Sequence, residues 1–559
     1  MPEKEEQQNA SSTSASPSET SEQSSRKSIA QSANLMSVCV MISRITGFAR
    51  TWAMAFALGA TFLSSSYQVA NNLPNQLYEL VMGGMLVTAF LPVYVSVKRK
   101  LGKDASNDYA SNLLTLVVII LGVVSLIGIL FPQAIVYTQS FYSDQSEMTV
   151  AIMLFQFFAI QTVFYGASSI FSGMLNANRE YFWSSIAPVF NNLVVIATFV
   201  MYAVVAPYNG ELALYIIAIG NPLGVFLQMA IQLPALKRNG IRLRPRINLK
   251  DPALKDTFKI GAPTILIVIF SFITVSVMNA ASYCFADNGP AVIAYARLWY
   301  TLPYSFLAIP LTTALFTELS EMQADNNKEG VVKTIEEGTA QILFILMPFM
   351  LYLIVFSQPL VTLYHTGAFT IENISQIALF LSALALALPF YGMSAYMQKV
   401  FSSLRKMGSF AIANTIASVI QVILTMGAAS AVQAGVGVTM ESIALASAIY
   451  YVVVDLLSIL YLKHHYQTLS LLHLAKSIGL GLVLGGLGAI VGGAIMFGLQ
   501  FVFSPLNGSI PQALVYVVIG GLASLFVTFG LALKFNVAEA AMARSFVDTF
   551  KRKILRRSL

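Results

Sequence analysis

Near its beginning the sequence reads Ile42-Ser43-Arg44-Ile45-Thr46-Gly47-Phe48-Ala49-Arg50-Thr51-Trp52, two arginines in a mostly apolar stretch. At helical rise Arg50 lies about 9 Å beyond Arg44, and six steps of about 100° put the two on different but not opposed faces. Both can therefore line one cavity. A second stretch gathers Asn71, Asn72, Asn75, Gln76 and Glu79 around Pro74, with Gly83 and Gly84 just beyond. A third holds Arg297 in Tyr295-Ala296-Arg297-Leu298-Trp299-Tyr300, six residues before Pro303. A guanidinium keeps its charge and grips a phosphate through paired hydrogen bonds. Several arginines with few acids thus describe an anion site, whereas a cation site would need carboxylates. The candidate substrate-binding residues are Arg44, Arg50, Arg297, Asn75 and Glu79, with Glu79 placed to pair with an arginine. Pro74 removes a backbone donor and kinks a helix, and Gly83 and Gly84 permit bending or close packing, so these three are candidate hinges.

The elements that hold these residues follow from composition. Of 559 residues, 56% are hydrophobic and 11% are Asp, Glu, Lys or Arg. A soluble domain carries nearer about 25% charged residues. Mean hydropathy is +0.70. Lipid must be the solvent for most of this chain. Apolar stretches fall near 30–57, 69–97, 110–133, 148–176, 184–206, 211–234, 258–284, 291–319, 333–357, 373–401, 408–428, 438–462, 475–502 and 511–534. Each has about 20 residues or more, enough to cross some 30 Å of hydrocarbon as a helix. The expected fold class is all-α, a polytopic membrane protein of about fourteen spans. An arginine at bilayer depth costs at least about 2.5 kcal/mol, so each asks for a reason. Arg44 sits deepest in its span and is expected to face a cavity. Arg50 and Arg297 have an alternative, reaching to an interface as anchors.

Charge in the connecting segments tests the count. One set carries Lys98, Arg99, Lys100 and Lys103, then Arg179, then seven basic residues from Lys237 to Lys255, then Lys328 and Lys333, Arg405 and Lys406, and Lys463 and Lys476. The alternate set, at 58–68, 134–147, 207–210, 285–290, 358–372, 429–437 and 503–510, contains no Lys or Arg. A missed or invented span would mix the two sets. The basic side is read as cytoplasmic, with both termini on it.

A repeat lies within the spans. Tyr165-Gly166-Ala167-Ser168 superimposes on Tyr391-Gly392-Met393-Ser394 at an offset of 226, which also pairs Arg179 with Arg405, Ile186 with Ile412 and Ala187 with Ala413. The offset carries span four onto span ten, so two parallel six-span lobes are expected, with a site between them. The expected divisions are a disordered cytoplasmic tail at 1–28, rich in Ser, Glu, Gln and Thr; an N-terminal lobe at 29–234; a basic linker at 235–257; a C-terminal lobe at 258–462; two added spans within 463–535; and a basic tail at 536–559.

Several readings are excluded. A net charge of +7 does not imply a nucleic-acid partner, because the basic residues set topology. Cys39 and Cys284 read as apolar core residues rather than a disulfide or metal pair. His365 and the pair His464 and His465 fall on opposite sides of the membrane, so no metal site is expected. No nucleophile set or phosphate loop occurs, and no enzymatic activity or cofactor is expected beyond an unspecified coupling ion. Asp455 and Lys399 read as groups that pair helices or reach to an interface.

Ser43-Arg44-Ile45-Thr46-Gly47-Phe48-Ala49-Arg50 resembles the first-span signature of the MurJ (MviN) family of lipid II flippases in the MOP (MATE-like) superfamily. Asn72-Leu73-Pro74-Asn75, Thr88-Ala89-Phe90-Leu91-Pro92, Leu243-Arg244-Pro245-Arg246-Ile247-Asn248 and Gly367-Ala368-Phe369-Thr370 extend the resemblance through ten spans. The resemblance implies a two-lobed bundle with a cationic central cavity in the bacterial cytoplasmic membrane. It implies movement of an undecaprenyl-pyrophosphate-linked peptidoglycan precursor to the outer leaflet by alternating access. Its implied partners are this lipid-linked substrate, membrane lipid and other cell-wall synthesis proteins. Arg44 and Arg50 match the family's first-span arginines, Arg297 its eighth-span arginine one residue further from the next proline, and the last two spans its groove for the lipid tail. The sequence departs from the family at Thr51, where many members have Asp; at Tyr78, where many have Arg; and near Ser65, where an acid is usual.

A flippase for another polyprenyl-linked glycan, a MATE-like exporter and a membrane scaffold are the competing expectations. Cysteines introduced singly at Asn209 and at Asn239 should react with a membrane-impermeant thiol reagent from opposite sides, Asn209 from outside the cell. Labelling of both from one side contradicts the span count.

Overall fold

The computed structural model describes residues 17–83, 90–466, 470–541 and 544. Every described element is helical. Fourteen segments build the bundle. They are α1 (Pro17–Leu58), α2 (Phe62–Tyr78), α3 (Leu91–Leu130), α4 (Thr149–Ala177), α5 (Tyr181–Val205), α6 (Gly210–Arg238), α7 (Pro252–Ser282), α8 (Gly289–Gln323), α9 (Lys328–Val355), α10 (Ile371–Ala385 and Leu388–Ser403, bent by 50°), α11 (Met407–Gln433), α12 (Glu441–Tyr466), α13 (Leu471–Phe503) and α14 (Ile510–Lys534). Eleven of them are long and apolar enough to cross a membrane unaided, and the bent α10 makes a twelfth. The other two are α1, and α2 with the π-helical turn Glu79–Gly83 that follows it. All fourteen expected spans fall on helix at their described residues; 84–89 of the second lie outside these.

Three boundaries differ from expectation, each for a local reason. The second span begins at Phe62 rather than 69, because Thr61 and Ser64 close a reciprocal capping box at its start. The residues expected at its end, from Leu91, open α3 and continue to Gly102, whose φ of 87° breaks the helix and makes the turn to the third span. Residues 17–28, expected as part of a disordered tail, continue α1 instead. Pro17 suits a first helical position, and the Glu, Gln and Lys that follow are good helix formers. Residues 1–16 of that tail, Gly84, and 545–559 of the basic tail lie outside the described residues. The start of the basic tail is docked: Val537 and Ala540 pack on Phe344 and Ile345 of α9.

The repeat is legible in the packing. Arg179 and Arg405, paired by the offset of 226, end α4 and α10 with φ of 60° and 56°. Gly166 of α4 seats against Val117 and Leu121 of α3, and Gly392 of α10 against Ile342 and Leu346 of α9. A second pair lies outside the stretch matched by sequence. The π-helical turn Glu79–Gly83 follows α2, and Tyr304–Ala308 interrupts α8 in nearly the same register. Such turns are uncommon and concentrate at functional sites.

Within the first lobe α1 packs along α5, α5 along α6, and α3 along α4; in the second, α7 packs along α11 and α11 along α12. The added helices α13 and α14 pair with each other, and α13 lies along α9. Gly488 and Gly492 let α13 approach Ser524 and Thr528 of α14, where the Tyr352 hydroxyl of α9 reaches Thr528 Oγ1 at 2.5 Å.

Gly392→Val puts branched carbons into Leu346 and should cost about 1–3 kcal/mol of stability through overpacking, read as a lower thermal unfolding midpoint of the purified protein. Gly427→Val, with open space around its Cβ, should leave the midpoint essentially unchanged. Equal effects would contradict the packing register.

Candidate functional site

α1 and α2 of the first lobe and α7 and α8 of the second enclose a cavity of about 440 Å³. Arg50, Asn75, Gln76 and Glu79 line it from one lobe, and Asn279, Arg297 and Thr301 from the other. Among the sequence-derived candidates, Arg50, Arg297, Asn75 and Glu79 thus come together. Arg44 does not line this cavity. It lies a turn and a half nearer the basic face, exposed. Arg297 also lines a smaller side cavity of the second lobe with Tyr300, Tyr391 and Tyr451.

The charge arrangement is specific. Glu79 does not pair with an arginine; its Oε1 accepts from Asn75 Nδ2 at 3.1 Å. The ion pairs among the described residues involve Arg246 with Asp108, Lys333 with Glu337, and His473 with Glu336 and Glu539, and none of the cavity groups. Arg50 and Arg297 therefore present guanidinium donors with no protein acceptor among the described residues. Each carries five N–H groups, and an unpaired charge at bilayer depth is stable only against water or an anionic ligand.

Helix geometry places these side chains. Pro74 is buried within α2 and its carbonyl accepts from Thr162 Oγ1 at 3.4 Å, which ties this turn of α2 to α4. The helix widens into the π-turn from Glu79 to Gly83 just beyond. On α8 Arg297 stands six residues before Pro303 and the π-turn that follows it.

Thr51, Tyr78 and Ser65, the positions where the resemblance implies a charged group, have defined surroundings. Thr51 lines the cavity, its hydroxyl donating back to the Gly47 carbonyl at 3.2 Å. Tyr78 turns away, its ring 6.3 Å from that of Tyr165 in the first-lobe core. Ser65 is fully buried and its Oγ accepts from the backbone N–H of Ala291 at 3.2 Å. It satisfies one of the free amides at the start of α8 across the lobe boundary.

The cavity is closed at the face whose loops lack Lys and Arg. Gly59 and Gly367 both take left-handed φ, 63° and 56°. A Cβ on Gly59 would strike the Ala368 carbonyl, and one on Gly367 the Phe56 carbonyl. Their bare Cα atoms let Ala368 N–H donate to Phe56 O at 3.0 Å. Tyr295 OH donates to Gly59 O at 2.8 Å, Asn288 Nδ2 to Ala60 O at 2.9 Å, and Trp52 Nε1 to Leu363 O at 3.2 Å. This seam is hidden in the sequence, although Gly367-Ala368-Phe369-Thr370 stands out as a motif. Only pairing it with Gly59, some three hundred residues away, gives the motif a role.

Comparison with known proteins decides the family. The family model described as "Lipid II flippase MurJ" matches residues 54–516. The chain belongs to the MurJ family. A probable lipid II flippase MurJ of Borreliella burgdorferi is 23% identical over 373 residues, covering 66% of this chain and 72% of that protein. Lipid II flippase MurJ of Burkholderia cenocepacia is 26% identical over 345 residues, covering 60% and 66%. Among solved structures, a lipid II flippase MurJ in an inward closed conformation superimposes with a TM-score of 0.70 at 20% identity, over 90% of this chain and 99% of that one. An inward-facing MATE family multidrug resistance transporter of the MOP superfamily gives 0.64 at 13% identity, over 78% and 98%. The MurJ match begins at Met54, so the roles of Arg44 and Arg50 rest on geometry.

Gly367→Val removes the bare Cα approach and forces a β-branched residue into a left-handed φ. A cysteine at Asn72, in a background with Cys39 and Cys284 replaced, should then react faster with an impermeant reagent applied at the Lys/Arg-free face. Unchanged reactivity would show that the glycine seam is not the closure.

Proposed function

We propose that this protein moves lipid II, the polyprenyl-pyrophosphate-linked peptidoglycan precursor, from the inner to the outer leaflet of the bacterial cytoplasmic membrane. The observation that carries the reading is the lobe-shared cavity with one arginine from each side, Arg50 and Arg297, neither having an acceptor among the described residues. A pyrophosphate between them takes bidentate hydrogen bonds from both guanidinium groups. Asn75, Gln76 and Asn279 supply neutral donors and acceptors for the glycan. Arg44, nearer the basic face, is the first charge met by a headgroup entering from the cytoplasm, and both chain termini lie on that side. The polyprenyl tail stays in lipid along α13 and α14, where Phe497, Phe501 and Phe526 are exposed.

Alternating access then follows from the seam. With the Gly59–Gly367 contact closed, the cavity is shut toward the outer leaflet; its rupture, with closure at the basic face, carries the headgroup across. The π-turns beside Glu79 and Tyr304 are the places in α2 and α8 where helical hydrogen bonding is already loosened, so bending there disrupts least. A small-cation exporter is disfavoured, because Glu79 already accepts from Asn75 and two guanidinium groups share its cavity.

Depletion of a host cell's own lipid II flippase, with this protein supplied in its place, tests the reading. The unsubstituted chain should restore growth. Arg50→Ala and Arg297→Ala should each lose at least about tenfold in lipid II exposure at the outer leaflet, the loss of one charge-assisted contact of about 1.5–3 kcal/mol; the Lys variants should retain part of it. Full rescue by both Ala variants would contradict the site.

A further inference from the structure

The two lobes differ at one buried position. In the first lobe Ser168 sits beside Gln232 of α6: Gln232 Nε2 donates to Ser168 Oγ at 2.8 Å, and Ser172 Oγ donates to Gln232 Oε1 at 2.9 Å. Both ends of the amide are satisfied. The repeat carries Ser168 onto Ser394, and in the second lobe Ser394 sits beside Asp455 of α12. Ser394 Oγ donates to Asp455 Oδ1 at 2.7 Å. Asp455 is 3% exposed, and its Oδ2 has no partner among the described residues. By the same offset Gln232 falls on Ser458 and Asp455 on Met229, so the acid, about one turn before Ser458 on α12, takes the amide's role beside the repeated serine. The carboxyl end matches the amide end in donor pattern only when it carries a proton.

An ionised Asp455 here would be a buried charge with one hydrogen bond and no counter-charge, an arrangement costing several kcal/mol. None of the groups facing it puts a counter-charge in contact with it. From α8 come Tyr300 and, beyond it, Arg297, which line one side cavity with Tyr391 and Tyr451. From α10 come Tyr391 and Lys399, but Lys399 Nζ is held by Thr312 and Thr313 at 2.9 Å each. α11 contains no titratable residue, and on α12 itself the neighbours are Tyr450 and Tyr451. Ser458, one turn further along α12, is likewise buried without a partner among the described residues. Tyr300, Tyr391 and Tyr450 also wall a side cavity of about 120 Å³ that opens beside Arg297.

We infer that Asp455 is a proton-binding site in the second lobe, with the proton on Oδ2 while α10 and α12 stay packed. Release follows separation of α10 and α12, which lets water from the side cavity reach Asp455; it breaks the Oδ2–H bond, leaves the electron pair on the carboxylate and passes the proton to that water. The carboxylate left behind is stabilised by Arg297 when that guanidinium is not engaged by an anion. Proton release and anion binding therefore compete for Arg297, which links the protonation state of the second lobe to occupancy of the main cavity. This coupling rests on the anion-site reading; the proton site itself does not.

Infrared difference spectra of the full-length protein in lipid nanodiscs test it without any substrate. At neutral pH the protein should show the carbonyl stretch of a buried protonated carboxyl. The band should disappear in Asp455→Asn, and shift to higher frequency in Ser394→Ala, which keeps the acid but removes the hydrogen bond to Oδ1. Absence of the band, or its survival in Asp455→Asn, overturns the proposal; so does a band that develops only when sodium is withdrawn, which would make the ligand a metal cation. Addition of inorganic pyrophosphate should strengthen the band in the unsubstituted protein and not in Arg297→Ala. If the band is present but pyrophosphate has no effect, the proton site stands and the anion-site coupling fails.

Discussion

A guanidinium inside a bilayer needs an acceptor, and every major feature of this fold bears on how Arg50 and Arg297 obtain one. Hydrocarbon supplies none, and the carboxylate in the same cavity, Glu79, is engaged by Asn75. Two lobes facing each other across a polar gap provide the solution, because the gap admits water and an anionic headgroup while the lobe surfaces stay in lipid. The same constraint explains why the bundle is divided at all. A single well-packed core would bury the arginines without partners, at a cost that no neighbouring helix offsets.

Holding such a gap at one end requires a closure that can reopen. The Gly59–Gly367 seam joins the lobes largely through main-chain atoms and a few amide, indole and phenol groups. Hydrogen bonds of this type contribute about 1 kcal/mol each, which suits a contact that must break in every cycle. Ser65 adds to the seam by satisfying an amide of α8. The group used here is a neutral, fully buried hydroxyl. At the opposite end of the added pair, His473 stands between Glu336 and Glu539 and ties α13 to α9 and to the residues that follow α14.

Much of this is legible without coordinates. Fourteen spans can be read because hydrocarbon demands about 20 apolar residues and because loop charges alternate. The lobes can be read from Gly166 and Gly392, since a missing side chain is conspicuous where a helix crosses its neighbour. The site candidates can be read because polar groups at bilayer depth are rare. What stays hidden depends on partners distant in the chain or on local choices that spacing does not settle. Glu79 is free to meet an arginine by sequence, but Asn75 lies one helical turn away and reaches it first. Tyr78 and Glu79 are adjacent, yet one enters the first-lobe core and the other the cavity, at the point where α2 gives way to the π-turn. Asp455 reads as a helix-pairing residue until the repeat sets Ser394, which holds it, against Ser168, which holds Gln232. Polarity misleads at residues 17–28, because it says whether a segment can be buried and not whether it can be helical.

The central claim is that the cavity recognises a lipid-linked anion through Arg50 and Arg297. The most direct measurement is binding of undecaprenyl pyrophosphate against undecaprenol to the purified protein in nanodiscs, at rising ionic strength. The account predicts at least about tenfold tighter binding of the pyrophosphate, equivalent to about 1.4 kcal/mol. It also predicts that the preference weakens with salt and vanishes in the Arg50→Ala, Arg297→Ala double variant. Equal affinity for the two lipids, or a preference that survives loss of both arginines, would contradict it.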